Sequence, residues 1–220
     1  MKNKFCLLIV FFLCISSLLP AGAQTLSEKD FQVLNMNDGL SDNDIHSVAK
    51  DTEGFMWFGT GSGLNRYDGL TFKVFRMPGI SYRRIDRVVS LDTDYLLLRS
   101  EQNLFLFDKK YERFLPVCDS VSKQPVMFAD FVADSDGSCW GVSSGELSEV
   151  TFLSSYVQDT AFVSVRHVVN NLQSDPFVVL CMAEDGKALY CASRNGTVYR
   201  FTPGQKQLKK VCDGQLSSSK

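Results

Sequence analysis

The stretch Asp51-Thr52-Glu53-Gly54-Phe55-Met56-Trp57-Phe58-Gly59 decides the fold, because it places an acidic, glycine-ended turn between two apolar runs. Gly54 takes a positive φ at no steric cost, and the carboxylates accept hydrogen bonds from turn amides. Ile45–Lys50 before the turn reads as one strand and Phe55–Gly59 after it as a second. Gly61-Ser62-Gly63 then turns the chain into Leu64–Tyr67, and Asp68-Gly69 turns it again into Thr71–Phe75. Four short strands, rich in aromatic and β-branched residues, thus form an antiparallel meander.

The turn recurs as Asp92-Thr93-Asp94, Asp134-Ser135-Asp136-Gly137 and Glu184-Asp185-Gly186. With the last residue of each turn as origin, Ile45, Ile85, Phe128 and Phe177 lie nine residues earlier, and Val48, Val88, Phe131 and Leu180 six earlier. Trp57, Leu97, Trp140 and Leu189 come three later. Leu64, Leu104 and Leu147 come ten later, and Tyr67, Phe107 and Val150 thirteen later; the fourth copy takes two extra residues to place Val198 and Phe201. Origins at 54, 94, 137 and 186 are spaced like the four-stranded blades of a β-propeller and unlike helix-pair or leucine-rich repeats. The expected fold is all-β, with about four four-stranded antiparallel blades over 36–76, 77–116, 117–166 and 167–212. Gly54, Trp57, Gly59, Leu64, Tyr67, Gly137, Trp140 and Gly186 are read as structural repeat positions. An immunoglobulin-type sandwich also has short, evenly spaced strands, but it predicts no fourfold turn.

Outer-strand segments read at Phe31–Leu34, Thr71–Phe75, Tyr111–Phe114, Phe162–Val165 and Leu208–Val211, one more than the inner strand sets. In a closed ring the two numbers are equal, so an incomplete propeller is expected over 24–220. Asp213-Gly214-Gln215-Leu216-Ser217 repeats the character of Asp38-Gly39-Leu40-Ser41, the lead-in to the first blade. A self-contained four-bladed ring is the alternative.

Ahead of the repeats, Lys2 and Lys4 precede an apolar run from Phe5 to Leu19, followed by Pro20-Ala21-Gly22-Ala23. This is the pattern of a secretory signal peptide, 1–23, cleaved between Ala23 and Gln24. An uncleaved anchor is the alternative, although the run is short for a span, which needs about 20 residues. Two lysines and no acids leave with 1–23, so the 23 basic residues fall to 21 against 25 acidic, a net −4. Nucleic acid is not an expected partner, since Arg83-Arg84 and Lys209-Lys210 are isolated pairs. Five cysteines remain, namely Cys118, Cys139, Cys181, Cys191 and Cys212, with no zinc-type spacing. One bridge is compatible with export, and Cys181 to Cys191 is its first candidate.

The run Asn37-Asp38-Gly39-Leu40-Ser41, with Ile45, Asp51, Gly54-Phe55-Met56-Trp57-Phe58-Gly59-Thr60 and Gly63-Leu64-Asn65-Arg66-Tyr67-Asp68-Gly69, closely resembles the two-component regulator propeller repeat. By register the resemblance covers about 31–216, and it weakens after the first blade, where Leu97 stands in place of the tryptophan. The family builds the periplasmic sensor of hybrid two-component systems. The resemblance implies a parent anchored in the inner membrane, with more blades, a membrane span, a histidine kinase, a receiver and an output domain, and with homodimerisation possible. It implies an oligosaccharide ligand released from glycans, no enzymatic activity for this segment and no cofactor. His46 and His167 lie in strand-like sequence without a kinase motif around them.

Sharper readings compete with plainer ones. Trp57 and Trp140 suit stacking on a sugar ring, but recurrence at one register favours packing between sheets. Asp134-Ser135-Asp136-Gly137 has the two-residue carboxylate spacing of a calcium loop, yet lacks the further oxygens such a loop needs. No G-x-S-x-G, H-E-x-x-H or P-loop occurs. A propeller glycosidase or lyase and a secreted interaction scaffold are the rival functions. Loops expected at the propeller mouth are Asn35–Asp44, Met77–Arg84 and Val169–Pro176, and Tyr82-Arg83-Arg84 among them suits an acidic sugar, although a solvated loop is the favoured reading.

Overall fold

A computed structural model of the chain describes residues 32–79, 84–133, 138–157, 159–169 and 175–214. The expected signal peptide with its Ala23–Gln24 cleavage site, Tyr82, Arg83, the 134–137 turn with Gly137, and the tail from 215 lie outside them. Among the described residues from 34 onward the fold is all-β and made of four antiparallel propeller blades.

Blade one comprises β1 (Ile45–Lys50), β2 (Met56–Thr60), β3 (Gly63–Tyr67) and β4 (Phe72–Phe75). Blade two comprises β5 (Arg87–Ser90), β6 (Tyr95–Ser100), β7 (Asn103–Asp108) and β8 (Arg113–Asp119). Blade three has β9 (Asp130–Ala133), β10 (Cys139–Ser143), β11 (Glu146–Val157) and β12 (Thr160–Val169). Blade four has β13 (Phe177–Met182), β14 (Leu189–Ser193), β15 (Val198–Thr202) and β16 (Gln207–Cys212).

The first turn shows why the motif needs its residue types. Asp51 Oδ1 accepts from the amides of Glu53 and Phe55, each at 3.0 Å, and Oδ2 accepts from Trp57 Nε1 at 2.8 Å. Gly54 sits at φ 95°, where a side chain would be strained. One carboxylate thereby ties the turn to the indole beyond it.

Alternation along each strand gives every blade two apolar faces. The face carrying Val88, Leu96, Leu98 and Phe107 of blade two packs on Trp57, Leu64 and Phe75 of blade one. Phe131, Cys139 and Val150 of blade three pack on Leu97, Leu104 and Leu106 in the same way, and Leu180, Leu189, Cys191 and Phe201 of blade four on Trp140, Val142 and Leu147. Blades therefore stack front to back, each with its own core layer. Gly59 lets blades one and two approach closely, since a Cβ there would meet the Ile85 carbonyl oxygen at 2.7 Å and Val88 Cγ2 at 3.1 Å.

Several expectations change. Residues 32–34 form no strand, so the outer segment at Phe31–Leu34 is not supported by the residues described. The third outer strand lies at Arg113–Asp119 instead of Tyr111–Phe114, because Lys110 and Tyr111 belong to a turn whose amides bind Asp108 Oδ1. β8 and β12 outrun the boundaries expected at 116 and 166, and pair in parallel through Ala161↔Val117 to Val163↔Asp119. Blades two and three consequently share one eight-stranded sheet. In blade four, Met182↔Leu189 repeats Lys50↔Met56, and Tyr190↔Arg200 repeats Trp57↔Arg66. Tyr190, one residue beyond Leu189, therefore occupies the tryptophan position. Cys181 and Cys191 lie on opposite faces, since Leu180 is the partner of Cys191. Both are free thiols, and burial pushes Cys191 up to about 12.

Candidate functional site

A cavity of about 240 Å³ opens where β8 and β12 join. Its walls are the ends of β8, β10 and β12, the start of β11, and the loop 120–129 between blades two and three. The loop is held by backbone hydrogen bonds. Val126 N donates to Val117 O at 2.9 Å, Leu104 N to Val126 O at 3.0 Å and Phe128 N to Gln102 O at 2.8 Å. Asp119 closes its base, accepting from Ser122 N at 2.7 Å. That amide, aided by others nearby and outweighing burial, holds the Asp119 carboxyl below its ordinary range.

The cavity follows from two small residues at one register position. Blade one pairs Phe58 with Asn65 there, blade two Leu98 with Phe105 and blade four Cys191 with Tyr199, whereas blade three pairs Gly141 with Ser148. A Cβ on Gly141 would collide with the Phe128 ring, which fills the space above it. The volume above Ser148, which Phe105 and Tyr199 fill in their own blades, stays open.

Ser148 Oγ lies 2.9 Å from His167 Nδ1, its cross-strand partner, and Glu146 Oε2 lies 3.1 Å from the same nitrogen. Two groups meeting one nitrogen cannot form a proton relay, in which serine and acid address opposite nitrogens of the imidazole. The arrangement suits recognition by hydrogen bonding, with Gln124 and Ser143 also on the rim and Met127, Phe128 and Val165 as apolar wall.

The other residues singled out by sequence lie elsewhere. Trp57, Trp140 and Leu64 are buried at blade interfaces, and Tyr67 is half-buried against Phe72 within blade one. Gly186 turns the chain at φ 68°. His46 stands 3.3 Å from Asp44 in blade one, and Arg84 pairs with Asp86. The structure brings none of these to the cavity. Of its lining, the sequence singles out only His167, and 120–129 is not among the mouth loops expected from it. The usable signal was Ser148 at a position held by an amide or an aromatic ring elsewhere. Among the described residues no three His, Cys, Asp or Glu side chains converge as metal ligands, and no helix is long and apolar enough to cross a membrane.

Comparison with known proteins finds a repeat model that matches part of the chain. The two component regulator propeller model matches residues 39–62, from the lead-in of blade one through its first hairpin. A histidine kinase, P4, of Formosa agariphila is 38% identical over 72 residues, which are 33% of this chain and 5% of that kinase. The extracellular domain of a hybrid two component system from B. thetaiotaomicron superposes with a TM-score of 0.60 at 17% identity, covering 82% of this chain and 26% of that one. A catalytically inactive virginiamycin B lyase from Staphylococcus aureus gives 0.59 at 11% identity, covering 85% and 61%. The two solved structures establish the propeller fold. The chain spans only a small part of the kinase it matches.

Proposed function

We propose that this chain, which carries a two-component regulator propeller repeat, is the ligand-sensing propeller region at the periplasmic side of a hybrid two-component histidine kinase. Its ligand is an oligosaccharide released from a glycan, and its own residues bind without catalysing. The observation that carries this reading is the family match over 39–62, which falls on the hairpin that the whole array repeats. A second observation supports a larger parent. Val48 and Ile45 on the front of blade one, and Tyr190 on the back of blade four, are exposed where their counterparts in other blades are buried. Such faces fit further blades of the same construction.

The test is genetic. Deletion of codons 32–214 from the chromosomal gene is expected to abolish transcriptional induction by the cognate glycan while leaving growth on monosaccharides intact. Unchanged induction across a panel of glycans, with the truncated parent present in the membrane, overturns the reading.

A further inference from the structure

We propose that the cavity above Ser148 binds a single polyhydroxylated ring and selects it by charge, favouring an ammonium-bearing ring over a neutral one and rejecting an acidic one. The inference rests on the propeller being a ligand-binding region, and it assigns to that region a site and a ligand class.

The shape comes from the register. Phe105 and Tyr199 fill in blades two and four the space that Ser148 leaves in blade three. A void left by an absent aromatic ring, bounded by Phe128, Met127 and Val165, accepts a ring of similar size edge-on. Ser148 is buried and hydrogen-bonded through His167, so the floor is polar and fixed in place. The loop wall is pinned to β7 and β8 by backbone hydrogen bonds, so little ordering is left to be done on binding.

The charge comes from the lining. Asp119 and Glu146 are its carboxylates, His167 is its titratable base, and neither lysine nor arginine lines it. The cations next to lining residues in the sequence are engaged elsewhere: Lys123 lies over the Phe162 ring and Arg166 pairs with Glu149 on the opposite face of the sheet. An anionic substituent would meet two carboxylates without a compensating cation, while an ammonium group would gain Glu146 as acceptor.

Calorimetric titration of the chain with glucosamine, glucose and glucuronic acid tests the proposal. Glucosamine is expected to bind about tenfold more tightly than glucose, and glucuronic acid not measurably. Glu146→Gln, a near-isosteric change at a half-buried site, should remove most of the glucosamine preference and keep glucose binding. Ser148→Phe, which restores the ring found in blade two, should abolish binding of all three with the thermal melt retained. Equal or tighter binding of glucuronic acid, an undiminished preference in Glu146→Gln, or no binding by any probe overturns this site. The deletion phenotype described above would be unaffected by that failure, so the two readings fail separately.

Discussion

Blades one and two carry the same residue at the same register position with opposite fates. Val48 is 51% exposed, whereas Val88 is 3% exposed, and Phe131 and Leu180 at the equivalent positions are 0% and 1%. On the reverse face the order inverts: Trp57, Leu97 and Trp140 are at most 3% exposed, whereas Tyr190 in blade four is 36% exposed. Burial in this molecule is therefore a property of the neighbour more than of the residue. A blade supplies half of each core layer, and its apolar positions stabilise only when the next blade's complementary face covers them.

The sharpest way to break the comparison is at the tryptophan position. Trp57→Ala is expected to cost about 4 kcal/mol, since the indole packs against Phe75 and Phe107 and donates to Asp51. Tyr190→Ala, at the same register, should cost less than about 1 kcal/mol. Urea midpoints of the two variants measure this. Equal losses would mean that the back of blade four is covered, by another chain or by a different packing. A smaller contrast of the same kind sits on the front faces. Val88→Thr buries a hydroxyl between blades and should cost about 2 kcal/mol, whereas Val48→Thr should be neutral within about 0.5 kcal/mol.

The third contrast is between the seams. On the turn side of blades one and two, Lys109 Nζ reaches across to Asp51 Oδ2 at 3.3 Å, with both side chains almost fully buried. Burial alone would raise the Asp51 pKa, but the Trp57 indole, the Lys109 ammonium and the Phe55 amide outweigh it and hold the carboxyl below its ordinary value. A depressed carboxylate contributes stability that is complete above the unfolded value of about 3.9 and is lost as pH falls through the folded one. Lys109→Met should remove about 2 kcal/mol at neutral pH and move acid unfolding to higher pH. An unchanged acid midpoint would show that the pair adds nothing to this seam. Blades two and three are joined instead by the β8–β12 ladder.

How much of this was legible in the sequence depends on whether a feature is local. The acidic turn, the strand alternation and the repeat origin are set within a few residues, and the four blades could be read from them. The tryptophan position of blade four was misread by one residue, because the longer 183–188 turn shifts the register and only the strand pairing reveals by how much. The β8–β12 ladder could not be read at all, since parallel pairing of two outer strands depends on β8 running on past its blade to meet the start of β12 in space. Cys181 and Cys191 look bridgeable along the chain, yet the pleat sends them to opposite faces. The cavity lies between these cases. Gly141 and Ser148 stand at visible register positions, but a missing side chain leaves a void only if the adjacent loop does not fill it, and Phe128 fills just half.

The finest contrast is between the two tryptophans themselves. Trp57 Nε1 donates to Asp51, whereas Trp140 Nε1 is buried with no hydrogen-bond partner among the described residues. Removing the donor should therefore have opposite consequences. Trp57→Phe leaves a buried carboxylate short of one partner and should cost about 2 kcal/mol beyond the change in ring size. Trp140→Phe discards an N–H that has no partner among the described residues and should be neutral, or stabilising by about a few tenths of a kcal/mol. The sequence supplies a specific way for this to fail, because Asp134 stands six residues before Trp140, as Asp51 does before Trp57. Should Trp140→Phe prove as costly as Trp57→Phe, a double-mutant cycle with Asp134→Asn distinguishes the causes. A coupling of 1 kcal/mol or more would give the third blade the carboxylate-to-indole tie of the first, and a null coupling would assign the loss to packing against Phe201.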